Sequence, residues 1–250
     1  MIFSIPELDR TGLVRTVYTT KDRAVWRFDG ENGPENFKWL TKELGGDIKP
    51  EDLTRVYQSH TDRVKIVTKK HAGEMVTRPN ETEDCDGMIT NEKGLMLCTV
   101  EADCVPVYIL DPVTPAIGMV HSGWRGTAKQ IAVKAIKLMG EEYGSKPENL
   151  MVALGPHICG NCYEVGEELR EDFGELFEEA EREKFLTRKA DGKLNLDLSR
   201  AIKAAVMRVG VKEENFFDSC PCTKESDNLC SWRRDNPIRQ SMLTGIILVK

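Results

Sequence analysis

Four apolar runs follow one another between residues 87 and 122: "GMIT", "GLMLCTVEA", "VPVYILD" and "AIGMVHS". They read as consecutive strands. Further strands are expected in "NLMVALGP", in the closing "SMLTGIILVK", and in "DLTRVYQSH" and "RVKIVT", which a short polar turn joins. Helical periodicity appears in "NFKWLTKELGG", stopped by Gly45 and Gly46, and in "TAKQIAVKAIKLMGEEYG", with Ile131, Ala135, Leu138 and Met139 on one face. It appears again in "VGEELREDFGELFEEAE", with Leu169, Phe173, Leu176 and Phe177, and in "LDLSRAIKAAVMRVG", where Asp197 is the expected N-cap and Gly210 the stop. The stretches 28–36 and 71–87 read as loops. Strands and helices mix without strict alternation, so the expectation is a mixed α/β or α+β fold, one domain over residues 1–250.

Composition narrows the function classes. The 35 basic and 41 acidic residues give a net charge of −6, which argues against broad nucleic-acid binding. No apolar run approaches membrane-spanning length, and the first residues carry charges too early for a signal-peptide core. Eight cysteines without such a signal suggest reduced thiols and a cytoplasmic location. With only four histidines, the position of each matters.

Three soft ligands share one local pattern. His60 ends "RVYQSH", Cys104 follows "LCTVEAD", and His121 ends "AIGMVH", so each follows an expected strand. Strand ends are where sheet enzymes collect functional groups. Two imidazoles and one thiolate suit Zn²⁺, and three protein ligands leave a fourth tetrahedral position open. Their separation matches no short zinc signature, and a buried cysteine with hydrogen-bonded histidines is the bland reading. Beside them, "HSGWRGTA" places Gly123 and Gly126 around a tight turn into a helix expected from Thr127. Backbone N–H groups there and the guanidinium of Arg125 make a candidate phosphate site; the alternative is a plain strand-to-helix connection with Trp124 packed and Arg125 in water.

The segments "QSH", "DGMIT", "EADCVPV", "HSGWRGT", "GPHICGNCYEVG", "CT" and "SWRRD" resemble, in this order, the YfiH-like laccase-domain family, over about residues 55–235. The resemblance implies layered mixed β-sheets flanked by helices, and a zinc ion on His60, Cys104 and His121. Family members are described as purine nucleoside phosphorylases with adenosine deaminase activity and as polyphenol oxidases. It therefore implies a zinc-dependent enzyme taking a purine nucleoside and phosphate, with Arg125, Asn36 and Asp86 as candidate substrate contacts and Cys104, His121, His60 and Arg125 as the catalytic set. The chain departs from the family's usual N-terminal Arg-x-Gly-Gly-Val-Ser segment, keeps Asn36 but has Phe37 where an arginine is common, and reads "RRDNPIRQ" near its end. These departures bear on substrate contacts. Alternative readings are copper-dependent phenol oxidation, for which Cu²⁺ would occupy the same ligands, a Cys104–His121 hydrolase, and a non-catalytic zinc protein. Monomer and homodimer are both compatible with the sequence.

Asp103 is expected to hydrogen-bond a ligand histidine or cap a turn. Asp84 and Asp86, in "DCDG", read either as polar substrate contacts or as a turn entering a strand. "CGNC" has CxxC spacing and "CPC" adds Cys220 and Cys222, but no second CxxC stands at zinc-ribbon distance, so no second metal is expected. His157 reads as a hydrogen-bonded loop residue.

Overall fold

A computed structural model describes residues 1–27, 29–81, 83–174 and 177–249. The expected strands, joined by Ile2–Phe3, Val14–Thr19 and Phe216–Phe217, which the sequence did not single out, organise into two large sheets. One has the order Ile2–Phe3, Val14–Thr19, Met242–Leu248, Met96–Glu101, Leu53–Arg55. The other runs Phe216–Phe217, Met151–Leu154, Val105–Asp111, Ala116–Ser122, Gly87–Thr90, Val64–Ile66. A small third sheet joins Glu164–Val165, Leu194–Leu196 and Leu186–Arg188. Parallel and antiparallel pairs occur in both large sheets, so the expected mixed α+β class is observed.

Side-chain alternation makes the layers. Along Val107–Leu110 the period of two sends Val107 and Ile109 to one face and Tyr108 and Leu110 to the other. Val107 and Ile109 pack with Ile131 and Ala135 of the helix Ile131–Tyr143 and with Ile202 and Val206 of the helix Leu198–Arg208. Tyr108 and Leu110 meet Val14, Leu97 and Ile246 of the other sheet, and the Tyr108 hydroxyl donates to the Val17 carbonyl at 2.8 Å. That sheet's far face packs Val17, Met96 and Ile247 against Phe37 and Leu40 of the helix Gly33–Leu44. The result is helix, sheet, sheet, helix. Strands with both faces covered have no solvent side, which is why these runs are continuously apolar.

Three expectations are corrected. "DLTRVYQSH" and "RVKIVT" form no hairpin: Leu53–Arg55 and Val64–Ile66 lie in different sheets, and residues 56–63 cross between them. The helix expected from Thr127 begins at Trp124, stops at Ala128, and restarts at Ile131, because Gln130 takes a left-handed conformation, φ 57°, that interrupts the helical path. Among the described residues, the long helix expected over 165–181 is reduced to Leu169–Asp172 and Glu179–Arg182. Phe173, Phe177 and Phe185 instead gather ring against ring at 5.0–6.0 Å, and Leu176 lies outside the described residues. The helix Leu198–Arg208 is as expected, with the Asp197 side chain accepting from the Arg200 N–H at 3.0 Å and Gly210 at φ 106° beyond its end.

Candidate metal centre

Cys104 and His121 meet because their strands are antiparallel partners. Val105 pairs with Ser122 and Pro106 with His121, so the start of one strand lies beside the end of the other. Cys104 stands just before its strand. The chain leaves one large sheet at Glu101 and enters the other at Val105, turning through Ala102–Cys104 with Asp103 at φ 90°. The turn is held from the C-terminal region: Asp103 accepts from the Thr223 hydroxyl at 2.6 Å and from the Arg233 N–H at 2.7 Å. Asp103 is thus a turn anchor rather than a partner of a ligand histidine.

His60 arrives differently from the expectation. It stands five positions beyond the strand Leu53–Arg55, on the crossing segment, in a left-handed conformation at φ 61°. Gln58 anchors this segment, donating to the Val100 carbonyl and accepting from the Val100 N–H, both at 2.9 Å. The fully buried Asp86 carboxylate then gathers it, accepting from the N–H of His60 at 3.1 Å and from the N–H and hydroxyl of Thr61 at 2.6 and 2.7 Å. The same carboxylate lies 2.7 Å from Nδ1 of His121. One side chain therefore positions two of the three candidate ligands. This corrects the expectation of Asp86 as a substrate contact: its oxygens are spent on the ligand scaffold. Asp84 accepts from the Ser59 hydroxyl and pairs with Arg63 at 2.8 Å.

The donor atoms of His60, Cys104 and His121 lie within 4.8 Å of one another. Cys104 Sγ is 3.8 Å from His60 Nε2, and the two imidazole rings are 4.9 Å apart, edge to face. With Nδ1 of His121 engaged by Asp86, its Nε2 is the nitrogen left for a metal, the arrangement in which a carboxylate fixes a ligating histidine's tautomer. Gly123 gives the cluster room. A Cβ there would come within 2.9 Å of the His60 ring and 3.0 Å of Cys104 Sγ. Burial alone would raise the Cys104 thiol, but the charge of His121 and hydrogen bonds to His121 and His60 outweigh it and bring it to about 6. Burial likewise works against the His121 cation, yet Cys104 and Asp86 raise it to about 10, so a metal ion taking Nε2 would displace a proton from that nitrogen. The sulfur thus favours the thiolate form that binds metals. Donor types, spacing and the fixed tautomer all fit a metal ion held by three protein ligands with one position open.

The three candidate ligands open into a cavity of about 510 Å³. Trp124, Tyr163 and Trp232 line it, together with the guanidinium-bearing Arg125, Arg233 and Arg239. Arg125 is exposed, stacks on Trp124 at 4.2 Å, and has no carboxylate ion-paired with it among the described residues. Arg233 lies over the Tyr163 ring at 4.7 Å and donates to the Glu164 carbonyl at 2.7 Å. Asn36 does not reach the cavity. It is buried in the helix Gly33–Leu44, accepting from Arg23 and donating to the Val25 carbonyl. Trp124, Tyr163, Trp232 and Arg239 were not singled out for binding by the sequence reading. The signal was present in the repeated Trp-Arg pair, at 124–125 and 232–233, an aromatic face beside a cation in two separate motifs.

Residues 11–249 match the family described as multi-copper polyphenol oxidoreductase laccase. Over 191 residues the chain is 34% identical to purine nucleoside phosphorylase YlmD of Bacillus subtilis, covering 76% of this chain and 68% of that protein. Over 209 residues it is 30% identical to adenosine deaminase RL5 of an unknown prokaryotic organism, covering 83% and 78%. The crystal structure of the hypothetical protein YfiH of Bacillus licheniformis superposes with a TM-score of 0.90 at 26% identity, covering 99% of this chain and 96% of that one.

Proposed function

We propose that this chain, which belongs to the family described as multi-copper polyphenol oxidoreductase laccase, is a purine nucleoside phosphorylase that also deaminates adenosine, with zinc on His60, Cys104 and His121. The observation that carries the reading is the union, in one cavity, of three metal donors, three aromatic rings and three guanidinium groups. Flat aromatic faces suit a purine base. Guanidinium forks suit phosphate oxygens. Zinc held by the three ligands would supply Lewis-acid polarisation. Cys104 and His121 present their donor atoms from two adjacent strand ends, and Asp86 fixes the His121 ring. In phosphorolysis a phosphate oxygen bonds to the ribose C1′ as the bond from C1′ to the purine nitrogen breaks; Arg125, stacked on Trp124 and free of any ion-paired carboxylate among the described residues, is the group suited to hold that phosphate.

The names of two relatives support the two activities, one for each. Phenol oxidation by a multi-copper cluster is disfavoured by the histidine supply. Only two of the four histidines are at the centre, while His71 accepts from the Thr68 N–H at 2.9 Å and His157 has Nδ1 2.8 Å from the Gly155 carbonyl. The test is chromatography of adenosine incubated with the protein, with and without phosphate. The expected products are adenine and ribose 1-phosphate only when phosphate is present, and inosine in either case. Oxidation of phenols with no base released from any nucleoside would reject the proposal.

Arg125→Ala is expected to weaken the phosphate dependence of adenine release by roughly ten- to hundredfold, the worth of a charge-assisted contact. Deamination and metal content should change far less. Lysine should restore little, because a point charge lacks the planar fork. Phosphate titrations at saturating adenosine decide this; an unchanged phosphate dependence would move the anion site to Arg233 or Arg239.

A further inference from the structure

A second group of soft ligands converges about a different turn. Cys159 and Cys162 of "CGNC" face Cys222 and Glu225 of "CTKE", and the four donor atoms lie within 4.8 Å of one another. The sequence offers only one CxxC. The fold supplies its counterpart from a C-x-x-E at the same i, i+3 spacing, a pattern invisible to a search for cysteine pairs. Two such turns facing each other make a four-cornered site. A tetrahedral zinc with bonds of about 2.3 Å to sulfur has ligands roughly 3.8 Å apart, a spacing this cluster needs little movement to reach.

The surroundings are built for an electron-rich centre. The Cys159 N–H donates to Cys222 Sγ at 3.3 Å. The Cys162 thiol donates to Glu225 at 3.3 Å, a proton that a metal would displace to solvent. The first turn closes through the Cys162 N–H on the Cys159 carbonyl at 3.0 Å, and the second through the Ser226 N–H on the Cys222 carbonyl at 3.1 Å. Gly160 is needed for the first: a Cβ there would come 2.8 Å from the Asp197 side chain. The Arg234 guanidinium fastens the second turn by donating to the carbonyls of Thr223 and Ser226 at 2.7 and 2.9 Å. All three sulfurs are partly exposed, so a metal has access.

We propose that Cys159, Cys162, Cys222 and Glu225 bind a second, structural metal ion of the zinc class, with all four positions filled by protein. Its role follows from the residues next in sequence. Tyr163, which lines the nucleoside cavity, comes directly after Cys162, and Thr223, which holds Asp103 beside Cys104, comes directly after Cys222. The ion staples the 159–163 segment to the 222–234 segment and so fixes one side of the cavity without touching the reacting atoms. A site with four protein ligands keeps no open position for substrate.

The test uses Cys104→Ala protein, which removes a ligand from the first centre and leaves the second intact, purified under reductant and titrated with Co²⁺. The expected result is about one cobalt per chain with the visible absorption of tetrahedral cobalt and strong thiolate-to-cobalt charge transfer. Adding Cys162→Ser should abolish these bands. Adding Glu225→Gln instead, at an exposed side chain, should keep circular dichroism unchanged and weaken cobalt binding at least tenfold. Absence of these bands in the reduced Cys104→Ala protein would overturn the proposal. So would bands indifferent to both added substitutions, or a disulfide among Cys159, Cys162 and Cys222 in protein isolated without oxidant. None of these outcomes depends on turnover of any nucleoside.

Discussion

Cys104→Ala is expected to abolish both phosphorolysis and deamination while leaving the fold in place. Cys104 supplies the only anionic donor among the three proposed ligands, and its sulfur already favours the thiolate. Metal binding should fall below detection at this centre. Lewis-acid polarisation is worth several kcal/mol, and each ~1.4 kcal/mol is a factor of ten, so turnover should drop by roughly a thousandfold or more. The fold should survive because Cys104 is partly exposed and belongs to a turn whose anchor is Asp103, not the sulfur. Product chromatography, metal analysis and circular dichroism on the same sample check the claim. Activity near that of the unaltered protein would make Cys104 a packing residue. Metal retained at His60 and His121, beyond any ion held by Cys159, Cys162, Cys222 and Glu225, together with lost turnover would favour the nucleophilic reading, in which Cys104 attacks and His121 takes its proton.

Asp86→Asn is the second large effect, and it acts without contact to substrate. The carboxylate holds the His121 imidazole and three donors of the His60 segment. An amide keeps the shape but turns one oxygen into a donor facing donors. Loss of a carboxylate behind a ligating histidine typically costs ten- to hundredfold in metal affinity, which a competition titration against a chromophoric chelator would measure. Stability should fall as well, by about 1–3 kcal/mol for each buried donor left without a partner. Burial would raise the Asp86 carboxyl, but the hydrogen bond and charge of His121 and the donors of Thr61 outweigh it and hold it below 3.8. A depressed folded value means the stabilisation is complete above the ordinary carboxyl range and is lost as pH falls below 3.8 toward that value. The Asn variant should therefore lack that part of the acid dependence. Equal metal affinity in the two proteins would reduce Asp86 to a packing role.

The ligand types and the strands beneath Cys104 and His121 were legible because apolar runs, their breaks and soft side chains are local facts. The layering was legible only through the resemblance, since continuous apolar strands do not say which sheet they join. The strands Leu53–Arg55 and Val64–Ile66 show the limit: close in sequence, they go to different sheets, one pairing with Met96–Glu101 and the other with Gly87–Thr90. His60 was found by residue type and misplaced by structure, as its left-handed backbone depends on Asp86, 26 residues away. Asn36 and Asp86 were misread for the same reason. Polar side chains with special roles can serve substrate or scaffold, and only their partners in space decide. The helix over 165–181 failed because an aromatic cluster outweighed periodicity. The Cys159 cluster was hidden because its second half ends in a glutamate rather than a cysteine.

Metal-replete crystals measured above and below the zinc absorption edge show whether His60, Cys104 and His121 hold zinc. An anomalous peak is expected, present only above that edge, bonded to Cys104 Sγ at about 2.3 Å and to imidazole nitrogens of His60 and His121 at about 2.0–2.1 Å, with its fourth position open to the cavity lined by Trp124 and Arg125. No peak among these three side chains in metal-replete protein would contradict that assignment.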